Sequence, residues 1–359
     1  MSDSQYVVFS LPFQPRDSIG NPFYYMTAIA AEYLADFLHT EYKLGINTMH
    51  SYKTYAPETI ASFAEMFSWI RHSLYVDSDF ASQLSSVVYE LLCREKIKVR
   101  ESSLLTCTCG RVEIDETIRD VWGKGQIIDD HGEMKCSCCG SVLYRRTEIS
   151  LFWKVDEVEM CSFPTYVDKD CNHFRSAYKD AWMRISRIHS TGICVIVNGQ
   201  IFNLDIDFVW KCIPLLASEK PIVVASSKHI FEMYCIAVLG KQLGKDVYFV
   251  SVPYIQGVER IIPILDKADG YNLLRATCLL GPDWNKKVCP INEGRFRYIY
   301  RNIQPLWECM TRNNQKNISS WDEIRREFQN SLNFQRRVKE MKGEINERTA
   351  HEKLLRLEK

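Results

Sequence analysis

PIVVASSKHIFEMYCIAVLGKQLGKDVYFVSVP, residues 221–253, changes its hydrophobic period twice. Pro221–Ser226 is an apolar run of strand length. His229–Gly244 repeats its apolar residues at helical spacing and ends on glycine, and Lys245–Pro253 is again rich in β-branched and aromatic residues. Strand, helix, strand in this order is a βαβ unit, whose crossover joins parallel strands. The stretch therefore predicts an α/β fold built on a parallel sheet. Upstream, GICVIV (192–197) is expected as a further strand.

The amino-terminal region has the same rhythm. YVVFSL (6–11) reads as a short buried strand. After the loop PFQPRD, Phe23, Met26, Ala30, Leu34 and Phe37 fall at helical spacing, with Asn21 as cap and Pro22 at the first helical position. A strand, a glycine-containing loop and a helix can turn backbone N–H groups toward a phosphate, although many α/β proteins begin this way without binding a nucleotide. Helical patterns follow at about 57–73 and 79–95, and a last one runs from about 296 to the end. The terminal piece, Phe334–Lys359, holds eight Lys or Arg against five Glu. A solvated helix face accounts for that excess, with a phosphate-contacting arm as the alternative.

Between these halves lie two cysteine knuckles, CTCG at 107–110 and CSCCG at 136–140. Cys107, Cys109, Cys136 and Cys139 would complete a tetrahedral four-sulfur Zn²⁺ site, and the glycine after each pair permits the tight turn this requires. The first knuckle has one residue between its cysteines where two or more are usual, and Cys138 is a spare thiol that competes with Cys139 for the fourth place. A disulfide or incidental cysteines are the alternative. The intervening segment is poor in apolar residues, so a metal would supply folding energy that its core cannot.

The chain has 359 residues, of which 46% are hydrophobic and 12% aromatic, enough for two or three domains with a sizeable core. Of fourteen cysteines, Cys93, Cys194, Cys235 and Cys278 stand singly in apolar stretches, as expected for reduced thiols in a cytoplasmic protein. No signal-peptide pattern opens the sequence, no apolar run is long enough to span a membrane, and formal net charge is zero.

Several stretches, taken in order, resemble the catalytic half of class I aminoacyl-tRNA synthetases, and most of all methionyl-tRNA synthetases. LPF (11–13) followed by SIGN (18–21) resembles the family's first strand and its His-Ile-Gly-His signature. SWIRHSLYVDSDFASQLSSVVYELLCREKIKVRES (68–102) resembles the helices before the zinc insertion, and CSCCG with RRTEISLFWKV (145–155) the exit from it. CNHFRSAYKDAWMRISRIHSTGI (171–193), VWKCIPLL (209–216), SSKHIFEMY (226–234) and DKADGYNLLRATCLL (266–280) resemble the re-entry segment, the Trp segment, the Gly-Lys-Asp turn and the start of the connecting helices. The resemblance covers about residues 6–310. It implies a Rossmann-like nucleotide-binding domain in two halves, 1–100 and 156–285, split by a zinc-binding insertion at 101–155 and followed by a helical segment, 286–359.

The family's chemistry is altered at matching positions. Ser18 and Asn21 stand where it has two histidines, leaving Ile19 and Gly20; neither replacement can carry an imidazolium charge. Between Val250 and Leu265, where the family has a Lys-Met-Ser-Lys-Ser loop, there is no lysine, and Arg260 is the one cation. Ser227-Lys228-His229 keeps the lysine of the Gly-Lys-Asp turn, Cys212 replaces the aspartate of the Trp segment, and Thr48-Met49-His50-Ser51 replaces Asp-Glu-His-Gly. The segment after the catalytic unit is expected to be too short for an anticodon-binding domain.

The resemblance thus implies nucleotide positions at Ser18, Gly20, Asn21 and Lys228, all degenerate for ATP or adenylate, and a substrate pocket at Phe13, His50 and Trp210. Each has an ordinary alternative: solvent exposure for Lys228, an uncommitted loop for His50, and core packing for Trp210 and Tyr24. Cys212 reads as a buried thiol. Three functions compete: a repurposed ligase-like or binding protein for an amino acid or its adenylate, a non-catalytic pseudo-synthetase with a protein or tRNA partner, and methionine-tRNA ligase activity. Contact with tRNA is expected to be weak and confined to the acceptor end.

Overall fold

The computed structural model describes residues 6–15, 22–50, 53–115, 126–128, 132–164, 166–188, 192–256, 270–290 and 320–332. Its centre is a sheet of six parallel strands: β1 (Val7–Ser10), β2 (Tyr42–Ile46), β3 (Ser73–Val76), β4 (Cys161–Phe163), β5 (Pro221–Ser226) and β6 (Tyr248–Val252). Their spatial order is β4-β6-β5-β1-β2-β3. The helices are α1 (Pro22–Leu38), α2 (Pro57–Glu65), α3 (Ala81–Cys93), α4 (Tyr166–Ala177), α5 (Ile206–Ala217), α6 (Ile230–Leu243), α7 (Gly270–Leu280) and α8 (Trp321–Leu332).

Both faces of the sheet are covered, so its interior strands β1, β5 and β6 are largely apolar runs instead of alternating with polar residues. Val8, Ile222, Val224, Val250 and Val252 point to the face beneath α1, α7 and α8. Phe9, Val223, Ala225 and Phe249 point to the other, beneath α3, α5 and α6. The βαβ unit at 221–253 forms as its periodicity predicts, with Val224 opposite Val250 and Gly244 closing α6 at φ 72°.

One expectation changes and two others gain detail. The helix expected over 57–73 ends at Glu65, and β3 follows after a turn; SLYV is too short for its period to show. GICVIV is a strand as expected, over Cys194–Val197, and lies outside the central sheet. Asn198 and Gly199, both at positive φ, make a two-residue turn that folds Cys194–Val197 back onto Gln200–Leu204 as an antiparallel hairpin. In the segment 286–359, Val288–Pro290 is a strand paired with Tyr254–Gln256, and α8 is helical as expected and buries Trp321, Ile324, Phe328 and Leu332 in the core. The Phe328 ring lies 5.7 Å from Tyr33 of α1. The rest of the helix expected from about 296 lies outside the described residues, as does the charged segment from Phe334.

The middle of the chain leaves the sheet as a long antiparallel hairpin, Ile97–Thr106 against Tyr144–Lys154, flanked by Glu113–Asp115 and Trp182–Arg184. A buried charge chain ties it to the main body. Arg184 Nη1 donates to Glu113 Oε2 at 2.9 Å, Arg187 Nε lies 3.6 Å from that oxygen and 3.5 Å from Asp205 Oδ2, and Asp205 caps α5 by accepting from the Asp207 N–H. Burial pushes the Glu113 pKa up, but Arg187 and Arg184 outweigh it and hold the carboxyl below its ordinary value.

Glu113→Gln leaves two buried guanidinium groups short of charge and is expected to cost about 3–5 kcal/mol in chemical denaturation. Because the folded-state pKa is depressed, this contribution is present above the ordinary glutamate range and lost as pH falls through the folded value. The gap between wild type and variant should therefore narrow in acid; a gap independent of pH would contradict the assignment.

Candidate functional site

At the tip of the hairpin the four knuckle sulfurs converge. The Sγ atoms of Cys107, Cys109, Cys136 and Cys139 all lie within 4.8 Å of one another. Gly110 and Gly140 have φ of 74° and 68°, and their N–H groups bond back to the carbonyls of Cys107 and Cys136, so each knuckle closes on its own glycine. Cys107–Cys109 and Cys109–Cys136 are separated by 3.5 and 3.7 Å. Tetrahedral Zn–S bonds of about 2.3 Å place sulfurs about 3.8 Å apart, so the donor set fits such an ion. The N–H groups of Val112 and Cys138 point at the sulfurs of Cys107 and Cys136, at 3.3 and 3.4 Å. Burial raises the Cys109 and Cys136 pKa values, whereas bonds from Ser141 lower Cys139 to about 5. Cys138 is exposed and outside the group. The accompanying core is small: Leu105, Val112 and Leu143 pack beside Cys107 and Cys136.

A second locus lies at the carboxyl ends of the parallel strands. From β1 the chain moves through α1 to β2 on one side; from β5 it moves through α6 to β6 on the other. Strand order reverses between β1 and β5, where doubly wound sheets open a ligand crevice. Lys228 stands at the end of β5, with its N–H 3.3 Å from Ser226 Oγ and its Nζ 4.7 Å from the centre of the Tyr254 ring. Phe13 follows β1, donates its N–H to Gly45 O at 2.8 Å and stacks on Tyr24 at 4.6 Å. Trp210 lies over Gly45 on the opposite face. A Cβ on Gly45 would come within 2.7 Å of its ring, so only glycine admits the indole. Phe13 and Trp210 thus pack in separate core clusters. His50 pairs with Lys53 in a two-residue strand. Ser18, Gly20 and Asn21 lie outside the described residues.

Asp77, after β3, is fully buried and accepts from the Thr48 N–H and hydroxyl and from the Ser78 N–H. Burial raises its pKa, and these bonds offset part of the rise. The sequence pointed to Thr48 but not to this partner; an aspartate directly after SLYV was the available signal. Cys212 is wholly buried, with its pKa pushed up to about 12 by burial. Lys211 beside it is buried as well, and its Nζ donates to the Asp207 carbonyl at 3.0 Å.

Solved structures with this architecture include those of Mycobacterium tuberculosis methionyl-tRNA synthetase. The complex with methionyl-adenylate superposes with a TM-score of 0.63 at 11% identity, covering 88% of this chain and 74% of that one. The fold is synthetase-like. A second complex of that enzyme with methionyl-adenylate gives a TM-score of 0.60 at 11% identity, covering 86% and 72%, and the apo form gives 0.60 at 10%, covering 92% and 79%. No protein-family model matches the sequence, and no curated protein matches it. The synthetase-like sheet and the cysteine group agree with the class I architecture expected from the sequence. Among the described residues no helix is long and apolar enough to cross a membrane.

The metal site has a direct test. Protein purified without chelator should hold about one equivalent of metal by elemental analysis. Cys136→Ser should lose it and melt the hairpin tip, whereas Cys138→Ser should retain it. Retention by Cys136→Ser would refute the ligand set.

Proposed function

We propose that this chain is a methionyl-type, synthetase-like paralogue that binds an amino acid or aminoacyl adenylate where β1 and β5 end, in a ligase-like or binding role instead of tRNA charging. The observation that carries this reading is the strand reversal between β1 and β5, in a chain whose sequence has Ser18 and Asn21 where the resemblance calls for histidines. The methionyl-adenylate held by the M. tuberculosis enzyme supports the ligand class. Electrostatic stabilisation of phosphoryl charge is the chief requirement of adenylation, and each lost donor lowers the rate by roughly 10²–10³. Two histidines and a lysine loop are replaced together, and Lys228 is engaged with Tyr254. The knuckles are assigned a structural Zn²⁺, since a closed four-thiolate set leaves no coordination position for substrate. The loss of both ATP signatures favours one other reading, a non-catalytic pseudo-synthetase with a protein or tRNA partner.

Amino-acid-dependent exchange of pyrophosphate into ATP should be undetectable with methionine or any standard amino acid, and Ser18→His with Asn21→His should not restore it. A non-hydrolysable methionyl-adenylate analogue should nevertheless raise the thermal transition of the full chain. Robust exchange would restore tRNA ligase activity as the leading reading; no response to any aminoacyl-adenylate analogue would favour the pseudo-synthetase.

A further inference from the structure

Lys98 and Arg100 stand two residues apart on the strand Ile97–Thr106 and therefore share one face of the hairpin sheet. Phe152 lies opposite Lys98, and Trp182 lies opposite Lys154 on the next strand. Lys98 Nζ sits 3.5 Å from the centre of the Trp182 ring, and the Arg100 guanidinium carbon sits 3.8 Å from that of Phe152. The rings hold both cations in place without neutralising them. Carboxylates of the hairpin and its flanking segments are ion-paired elsewhere, Asp180 with Lys154 at 3.1 Å, Glu148 with Arg146, and Glu113 with Arg184 and Arg187, and Glu101 alternates to the opposite face of the strand. Among the described residues neither Lys98 nor Arg100 has an acidic partner within ion-pair distance.

Arg100 also carries two unsatisfied donors. Its Nε and Nη2 atoms are shielded from solvent and make no hydrogen bond among the described residues. These two nitrogens form the edge of a guanidinium that grips an oxyanion with two parallel bonds. Native proteins seldom leave such donors unpaired, and a charged group suffers most from it. The Lys98 pKa lies below the ordinary lysine value, through burial first and then through the repulsion of Arg100 and Lys154. An anion seated between the two side chains would relieve the repulsion and satisfy the guanidinium edge at once.

We propose that Lys98 and Arg100 form a phosphate-binding site at the base of the hairpin, separate from the crevice between β1 and β5. Arg100 reaches the phosphate by turning its outer edge over the Phe152 ring, and Lys98 adds a second charge from the Trp182 side. The phosphate group is the recognised chemistry; a free polyphosphate and an RNA backbone are its two sources.

The test uses the full chain with two probes: tripolyphosphate by titration calorimetry, and a fluorescein-labelled single-stranded RNA of about twelve nucleotides by anisotropy. At low salt at least one probe should bind. Lys98→Gln with Arg100→Gln should weaken it about tenfold or more, and for RNA should reduce the slope of log K against log salt by about 1.4. If the double variant has no thermal transition, Lys98→Met and Arg100→Lys replace it. Arg100→Lys keeps the charge but loses the paired donors, and should still bind more weakly than wild type. Tripolyphosphate binding alone assigns the site to a free phosphate ligand, and RNA binding alone assigns it to a nucleic-acid strand; either supports the proposal. No binding of either probe, or equal binding by wild type and folded variants, overturns it. Binding of the methionyl-adenylate analogue should not change in these variants, which separates this site from the crevice.

Discussion

The pairing of β1 with β5 is the constraint on which the rest of the molecule depends. Val7–Ser10 runs in register with Pro221–Val224, although most of the chain lies between them. Both strands are interior, so each needs the other to complete its backbone ladder, and unpaired amides here would be buried without partners. The strand reversal exists only once this pair has formed, because β1 and β5 belong to different halves of the chain. Contacts of such long range are slow to close and are formed late in folding.

A second constraint works inside the first. Glu113 belongs to the excursion at the centre of the chain, Arg184 and Arg187 to its return, and Asp205 to the start of α5. Charges this deeply buried are tolerated because each answers another. Together they fix the angle at which the hairpin leaves the sheet, and they fix α5 with it. Since α5 carries Trp210, the hairpin and the Gly45 contact are parts of one rigid arrangement. The buried Lys211 fits the same scheme. Burial draws its pKa down, but Asp207, Cys235 and Glu232 more than compensate, which marks a structural cation and not a nucleophile.

Much of this was legible in the residues. Period changes at Ser226 and Gly244 announced the parallel sheet, and the glycines after the cysteine pairs announced the sulfur cluster, because both signals are local. What could not be read depended on partners distant in sequence. Ser73–Val76 becomes a strand because Lys43–Ile46 pairs with it, and Trp321–Leu332 becomes core because Tyr33, Tyr248 and Trp284 meet it. The Asn198-Gly199 turn was a local signal for the hairpin that GICVIV enters, but the strand's partner was not read from the sequence. For Phe13 and Trp210 the resemblance implied pocket positions and the residues themselves implied core packing; each packs in a core cluster of its own.

The sulfur cluster is graded in depth. Cys107 and Cys136 are wholly buried, Cys109 is half-buried, and Cys139 faces solvent with Cys138 next to it. The four thiols are therefore inequivalent toward any reagent that arrives from water. An alkylating agent meets Cys138 and Cys139 first and reaches Cys107 only after the knuckle has opened, so modification should proceed in a fixed order instead of at random. The outer sulfur acts as a latch on the inner three, and the hairpin tip comes apart from that side.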